Sequence, residues 1–407
     1  MQLTTLSNGL RVVSRKTPGV ETVAVGLFAE VGSRNEAARI NGIAHLFEHM
    51  VFKGAGDRSA REISEAIEDV GGDLNACTER DGTSFTASLM AEHLGLGIEV
   101  IADLILRPHF TDRDLEREKQ VVLQELGEAR DTPNDIIFDE LWAAAYADQP
   151  LGRSILGDET SIEAIALDDL RTWRDDHYRG DNLILSAAGK IDHDALVALA
   201  EAHFADLASG LAPSFEAGHF TASARVGRSP SDQAHLTIAF PAPAAAASDY
   251  LAARLFADIV GGGMSSRLFQ EVREERGLAY SVYSQLHPHA DTGLFYIYAA
   301  TARRASAEAA QLINQIVRQT SQDATQRELD RVRTQVRAAF HMMLESPWGQ
   351  ASYAARQLSA HGRLVDIAEQ LEWLSAVTLD DVRAAGQRMI AGGSARATIG
   401  VPAVRAA

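Results

Sequence analysis

His45, Glu48 and His49 fall within one short stretch, Ala44-His45-Leu46-Phe47-Glu48-His49-Met50-Val51. Apolar residues recur there three and four apart, which predicts a helix over 40–53. Two histidines four apart on a helix project from one face with Cβ atoms about 5–6 Å apart, so both imidazoles can reach one metal ion. Glu48 lies three residues after His45 on the same side. Catalytic zinc takes three protein ligands and keeps a fourth position open for water, so a third ligand has to come from elsewhere in the chain. A charged helix capped by Thr111 or Asp112 offers Glu118 and Glu125, which lie within about 20° on one face, with Glu128 on the shoulder. Spacing alone does not choose among the three. Glu48, next to a water made acidic by the ion, is the natural general base, and the reaction suited to this arrangement is peptide hydrolysis.

The rest of the composition agrees with a metal held by nitrogen and oxygen. The chain has 407 residues and a single cysteine, Cys77, so it has neither an internal disulfide nor a thiolate cage, and it suits a reducing compartment. No Gly-x-Ser-x-Gly nucleophile motif is present. The turn at Gly261-Gly262-Gly263 lacks the Lys-Ser/Thr ending of a phosphate loop. A formal net charge of −18 argues against nucleic acid as a partner, because counterion displacement from phosphates needs basic surface. The first residues lack a basic start and an apolar run, and no membrane-spanning stretch occurs, so a cytoplasmic location is expected.

The elements that must position these residues follow from pattern. Residues 9–13 and 22–31 read as strands, 59–69 as a second helix, and 73–90 as a hairpin turning at Asp81-Gly82. Pro133 breaks or kinks the chain after the charged helix, and 183–188 is one more buried strand. Between about 205 and 232 the pattern lapses into Ala, Ser, Gly and Pro, and the order then restarts with strands at 235–240, 279–287 and 292–301 and a helix from Tyr250. The expected organisation is an N-terminal domain over 1–208, a linker over 209–232 and a C-terminal domain over 233–407.

The restart has the form of an internal repeat. Residues 44–51 align with 253–260 at an offset of 209, and 111–117 align with 325–331 at an offset of 214. Across these alignments His45, Glu48 and His49 become Arg254, Ala257 and Asp258, while Glu118 and Glu125 become Val332 and Ala339. The second copy keeps the scaffold positions without the polar cluster, so the cluster is not required for the fold.

The inverted order His-x-x-Glu-His is that of the inverzincins. The surrounding Asn41–Gly54 segment resembles the superfamily of insulinase, pitrilysin and the mitochondrial processing peptidases. The likeness extends through Leu6–Leu10, Gly32-Ser33-Arg34, Gly72–Thr78 and Ser265–Phe269 to Tyr283. It implies an α+β fold of two homologous α/β domains, each a mixed, mostly antiparallel sheet with helices packed on one side. It selects Glu125, 76 positions after His49, as the third ligand of one zinc ion per chain, with Glu118 supporting the site from behind. Asn75 and Ala76 fall where the family presents an edge strand to an extended peptide, and Arg273 and Tyr280 match a pair that holds the substrate carbonyl. Insulinase-type enzymes join four such domains around a chamber, and this chain has two. The resemblance therefore implies a homodimer, or a heterodimer with a homologous sister chain, acting as a zinc endopeptidase on short unstructured peptides or presequences. A non-catalytic assembly subunit of the same superfamily is the alternative.

Overall fold

The computed structural model describes residues 1–211 and 213–401. Residues 212 and 402–407, inside the expected linker and second domain, lie outside the described residues. The chain divides into two units. The first takes Met1–Leu126, Ser154–Glu216 and Phe340–Val365; the second takes Gly127–Arg153, Ala217–Ala339 and the residues from Asp366 onward.

In the first unit six strands form one sheet: β1 (Gln2–Thr5), β2 (Arg11–Lys16), β3 (Thr22–Ala29), β6 (Asp73–Thr78), β7 (Thr83–Met90) and β8 (Leu183–Gly189). A two-residue ribbon, β4 (Gly54–Ala55) with β5 (Arg58–Ser59), stands apart. The sheet order is β1-β2-β8-β3-β7-β6, and only β2 and β8 run parallel. The central strands β3 and β8 are buried on both faces, which is why their sequences are continuous apolar runs rather than alternations. Val12, Leu27 and Leu185 point to one face. They meet Leu46 and Phe47 of α1 (Ile43–Val51), Ile98 and Leu104 of α3 (Leu94–Leu106), and Leu170 of α7 (Leu167–His177). Helices α2 (Ala60–Glu68), α4 (Asp112–Asp131), α6 (Glu159–Ala164) and α8 (His193–His203) also belong to this part of the sequence.

The second unit repeats the plan with β9 (Ala224–Val226), β10 (Gln233–Ala242), β11 (Ala279–Pro288), β12 (Gly293–Ala302) and β13 (Ala395–Ile399). The order is β11-β12-β10-β13-β9, with β13 and β9 the parallel pair. Set beside β6-β7-β3-β8-β2, the succession and the place of the parallel pair are the same. One face packs Ile238, Phe295 and Ile297 against Phe256 of α9 (Tyr250–Gly261), Ile313 and Ile316 of α10 (Ser306–Asp323), and Val382 of α14 (Leu379–Ala391). Helices α11 (Gln326–Met343) and α13 (Ile367–Ala376) follow the same scheme. The aligned segments 44–51 and 253–260 lie on α1 and α9, and 111–117 and 325–331 open α4 and α11, so the sequence repeat is a repeat of structure.

Most helices lie on one face of each sheet, as expected, and one further helix lies on the other. In the first unit Val13, Phe28 and Ile184 pack against Ala354, Ala355 and Leu358 of α12 (Pro347–His361). In the second, Ala239, Leu294 and Tyr296 pack against Ile137, Leu141 and Trp142 of α5 (Pro133–Ala145). Each helix begins with a proline at its first turn, where the missing N–H costs nothing. The units therefore exchange a helix between the halves of the sequence. The stretch expected as a linker over 209–232 contributes β9 to the second sheet. No helix among the described residues is long and apolar enough to cross a membrane.

Arg34 fastens the β6–β7 turn to the rest of the first unit. It is only 1% exposed. Its guanidinium pairs with Asp81 at 2.9 Å, donates to the Glu216 carbonyl at 3.1 Å and lies 3.9 Å from the Phe215 ring centroid. The main-chain N–H groups of Ser33 and Arg34 reach the carbonyls of Glu79 and Arg80, each at 3.1 Å. Arg34→Met should destabilise the first unit by about 3 kcal/mol, since breaking a buried ion pair strands its partners. Urea unfolding would measure this, and a change below about 0.5 kcal/mol would deny Arg34 that role.

Candidate metal centre

Helix α1 is fixed at its start by a carboxylate. Glu36 is buried and accepts the main-chain N–H groups of Gly42 at 2.8 Å and Ala44 at 2.9 Å, together with the Asn41 side-chain amide at 2.6 Å. Those donors have no partner inside the helix, and a negative charge there also complements its dipole. Gly42 precedes the helix at φ 95°, where a Cβ would come within 2.8 Å of the Leu156 carbonyl oxygen, so glycine is required. Leu46, Phe47 and Met50 are fully buried, and Phe47 packs on Tyr178 with ring centroids 4.7 Å apart. That leaves His45, Glu48 and His49 together on the opposite, half-buried face.

Helix α4 brings its glutamates to that face. The Nε2 atoms of His45 and His49 each stand 3.8 Å from a carboxylate oxygen of Glu125. Among the described residues His45, His49 and Glu125 form the group able to hold a metal ion, with ligand atoms all within 4.8 Å of one another. Glu128, open on spacing alone, is not in it. Glu118 is buried and lies 3.2 Å from His49 Nδ1 and 2.9 Å from Lys53 Nζ. A proton on Nδ1 donated to Glu118 leaves Nε2 bare and aimed at the cluster. Two imidazole nitrogens and one carboxylate are a donor set suited to zinc. Glu48, Glu118 and Glu125 against Lys53 also leave negative charge for a dication to offset.

The electrostatics favour ligand-ready histidine. Burial, and secondarily the neighbouring His49, hold His45 down to about 4. Burial raises the carboxyl of Glu48, and hydrogen bonds from the Thr78 hydroxyl and main-chain N–H oppose that rise. Thr78 sits on β6, whose other neighbour is β7 alone. Glu79 N–H donates to the Gly82 carbonyl at 2.8 Å, and the pairing continues Thr78 with Thr83 and Cys77 with Ser84. The antiparallel alternation then turns the main-chain groups of Asp73, Asn75 and Cys77 toward β7 and those of Leu74, Ala76 and Thr78 toward the open edge. Asn75 Oδ1 covers the Ala76 N–H at 2.9 Å.

Of the residues singled out from sequence, His45, Glu48, His49, Glu118 and Glu125 come together, and Asn75 and Ala76 lie on the strand that touches Glu48 through Thr78. Arg273 and Tyr280 belong to the second unit, where they meet each other: the guanidinium lies 4.7 Å from the Tyr280 ring centroid. Arg273 sits in a π-helical turn, Phe269–Glu275, and Tyr280, 79% exposed, sits at a break in the β11 register. Both irregularities re-aim side chains and recur at functional sites. At the position matching the cluster, Arg254 pairs internally with Asp258 at 3.0 Å. Sequence reasoning missed Glu36, Lys53 and Thr78. Their only local signals are an acid upstream of a glycine-started helix and two polar residues flanking the motif.

Residues 11–159 match the family model described as Insulinase (Peptidase family M16), and residues 164–336 match that described as Peptidase M16 inactive domain. The chain belongs to the insulinase, or peptidase M16, family. It is 34% identical over 397 residues to a protein of Rickettsia bellii named an uncharacterized zinc protease, covering 97% of this chain and 96% of the other. The uncharacterized zinc protease YmxG of Bacillus subtilis is 33% identical over 387 residues, covering 95% and 94%. Two solved structures share the fold at 22% identity. A peptidase M16 inactive domain from Pseudomonas fluorescens has a TM-score of 0.92 over 100% of this chain and 98% of that one. A protease from Helicobacter pylori has 0.90 over 98% and 99%. The first family match contains the cluster, and the inactive-domain match contains the half in which Arg254 and Asp258 stand in its place.

Two outcomes test the site. Glu125→Gln should abolish tight zinc binding, whereas Glu118→Gln should weaken it by roughly 10–100-fold, read by competition with a chelating dye. Unchanged affinity in Glu125→Gln would transfer the third ligand to another carboxylate. In the metal-free protein His45 and His177 both take up protons only near pH 4, chiefly because they are buried. The unfolded chain protonates them near 6.5, so stability should fall as pH drops from about 6.5 to 4. Chemical denaturation across that range measures the slope, and NMR titration of the ring protons measures the two midpoints.

Proposed function

We propose that the chain is a zinc-dependent endopeptidase that hydrolyses short unstructured peptides or presequences. The observation that carries this reading is the convergence of His45, His49 and Glu125 beside Glu48, at the end of an open strand edge. His45, His49 and Glu125 would hold the ion, and Glu118 would keep His49 in the tautomer that presents Nε2. A bound zinc ion supplies Lewis acidity and makes a neighbouring water acidic near neutral pH. Glu48 accepts the proton of the attacking water and returns it to the leaving amine, a task helped by a carboxyl raised by burial. The outward main-chain groups of β6 around Ala76 offer pairing to an extended peptide, which gives binding with little side-chain preference. Arg273 and Tyr280 would hold the substrate carbonyl.

The chamber is the second part of the proposal. Two chains together would enclose the site as four domains, either as a homodimer with Arg273 and Tyr280 acting within the chain or across to its partner, or with a homologous sister chain. Exclusion by size would then restrict substrates to unfolded segments. A non-catalytic assembly subunit is the second reading, favoured by the inactive-domain match, but that match spans residues 164–336 and not the cluster.

Purified protein should carry one zinc per chain and cleave a quenched fluorescent peptide in a chelator-sensitive manner, with a mass in solution of two chains. Glu48→Gln should retain zinc while losing roughly 10²–10⁴-fold in turnover, because an amide cannot accept the proton. Absence of cleavage by the zinc-loaded wild type would favour the assembly reading.

A further inference from the structure

Thr78 makes contacts in two directions that the reaction outlined above leaves unused. Its hydroxyl donates to Glu48 Oε2. Its main chain lies on the open side of β6, in line with Leu74 and Ala76. The carboxylate of Glu48 is therefore tied to the end of that edge. A peptide pairing with Leu74 and Ala76 would run directly toward the base. The strand itself is secured, because the β6–β7 turn is latched by Arg34 to Asp81 and by the Ser33 and Arg34 main chain.

The carboxylate has a second claim on its orientation. It lies beside Glu125, whose like charge would repel it. Glu48 is also the residue between the two histidines that faces the cluster with no partner on its own helix. A freely rotating glutamate in that position would swing toward the cation and compete with Glu125 as a ligand. The hydroxyl of Thr78 holds it on the strand instead.

We propose that Thr78 is a positioning residue for Glu48, clamping the carboxylate to the end of the β6 edge so that the docking strand and the proton-accepting group form one rigid piece. This rests on the reading of Glu48 as general base. A base misplaced by about 1 Å loses much of its rate, while the metal and the main-chain edge stay as they were.

The test uses the full-length, zinc-loaded protein with the quenched peptide, comparing Thr78→Val, which keeps the shape and removes the donor, with Thr78→Ser, which keeps the donor. Thr78→Val should lower kcat roughly 10–100-fold with KM within about twofold, and Thr78→Ser should stay within about threefold of wild type. Zinc content should be one per chain in all three. A crystal structure of Thr78→Val should show the Glu48 carboxylate turned off the strand. Wild-type kcat in Thr78→Val, a loss in Thr78→Ser equal to that in Thr78→Val, or lost zinc would each overturn the inference while leaving the peptidase reading intact. If Thr78→Val does not fold, Thr78→Ala read by the same split decides. A zinc-loaded wild type without cleavage would remove the reading and this inference with it.

Discussion

The carboxylate of Glu36 under the first turn of α1 is the contact on which the site depends. A helix start leaves N–H groups without partners, and here it is buried, so they must be satisfied from within the protein. Glu36 does this for Gly42 and Ala44 and thereby fixes where the helix begins. Because the helix is only nine residues long, its beginning sets the direction of every side chain on it. His45 follows Ala44 directly. His45, Glu48 and His49 thus inherit their orientation from an acid that stands outside their cluster.

Around that fixed helix the remaining polar groups form a chain of mutual restraint. Lys53 holds Glu118, Glu118 holds His49, and Thr78 holds Glu48, whereas the buried Nδ1 of His45 has no hydrogen-bond partner. Such networks favour a single geometry only when every member is satisfied. In the second unit the corresponding positions carry an ion pair one helical turn apart, Arg254 with Asp258, whose guanidinium is exposed.

Much of this could be read from the sequence because it is local. The histidine pair and Glu48 declare themselves by helical spacing, β3 and β8 by largely apolar runs, and the β6–β7 turn by Asp81-Gly82. The repeat could be read because the scaffold residues of α1 and α9 kept their apolar positions. The choice of Glu125 over Glu118 needed a family likeness, since both lie on one face of α4 and only the crossing with α1 separates them. Glu36, Lys53 and Thr78 stayed hidden because their partners are set by tertiary contact. The exchange of α5 and α12 stayed hidden for the same reason: an amphipathic helix carries no label for the sheet it covers.

That exchange has a consequence for synthesis. A ribosome delivers Val13, Phe28 and Ile184 long before it delivers Ala354, Ala355 and Leu358, so the first sheet waits with one greasy side uncovered until nearly the whole polypeptide has emerged. Over the same interval α5 has been made and waits for a sheet whose last strand, β13, follows even later. In both units, then, a sheet face is completed by residues from the last quarter of the polypeptide.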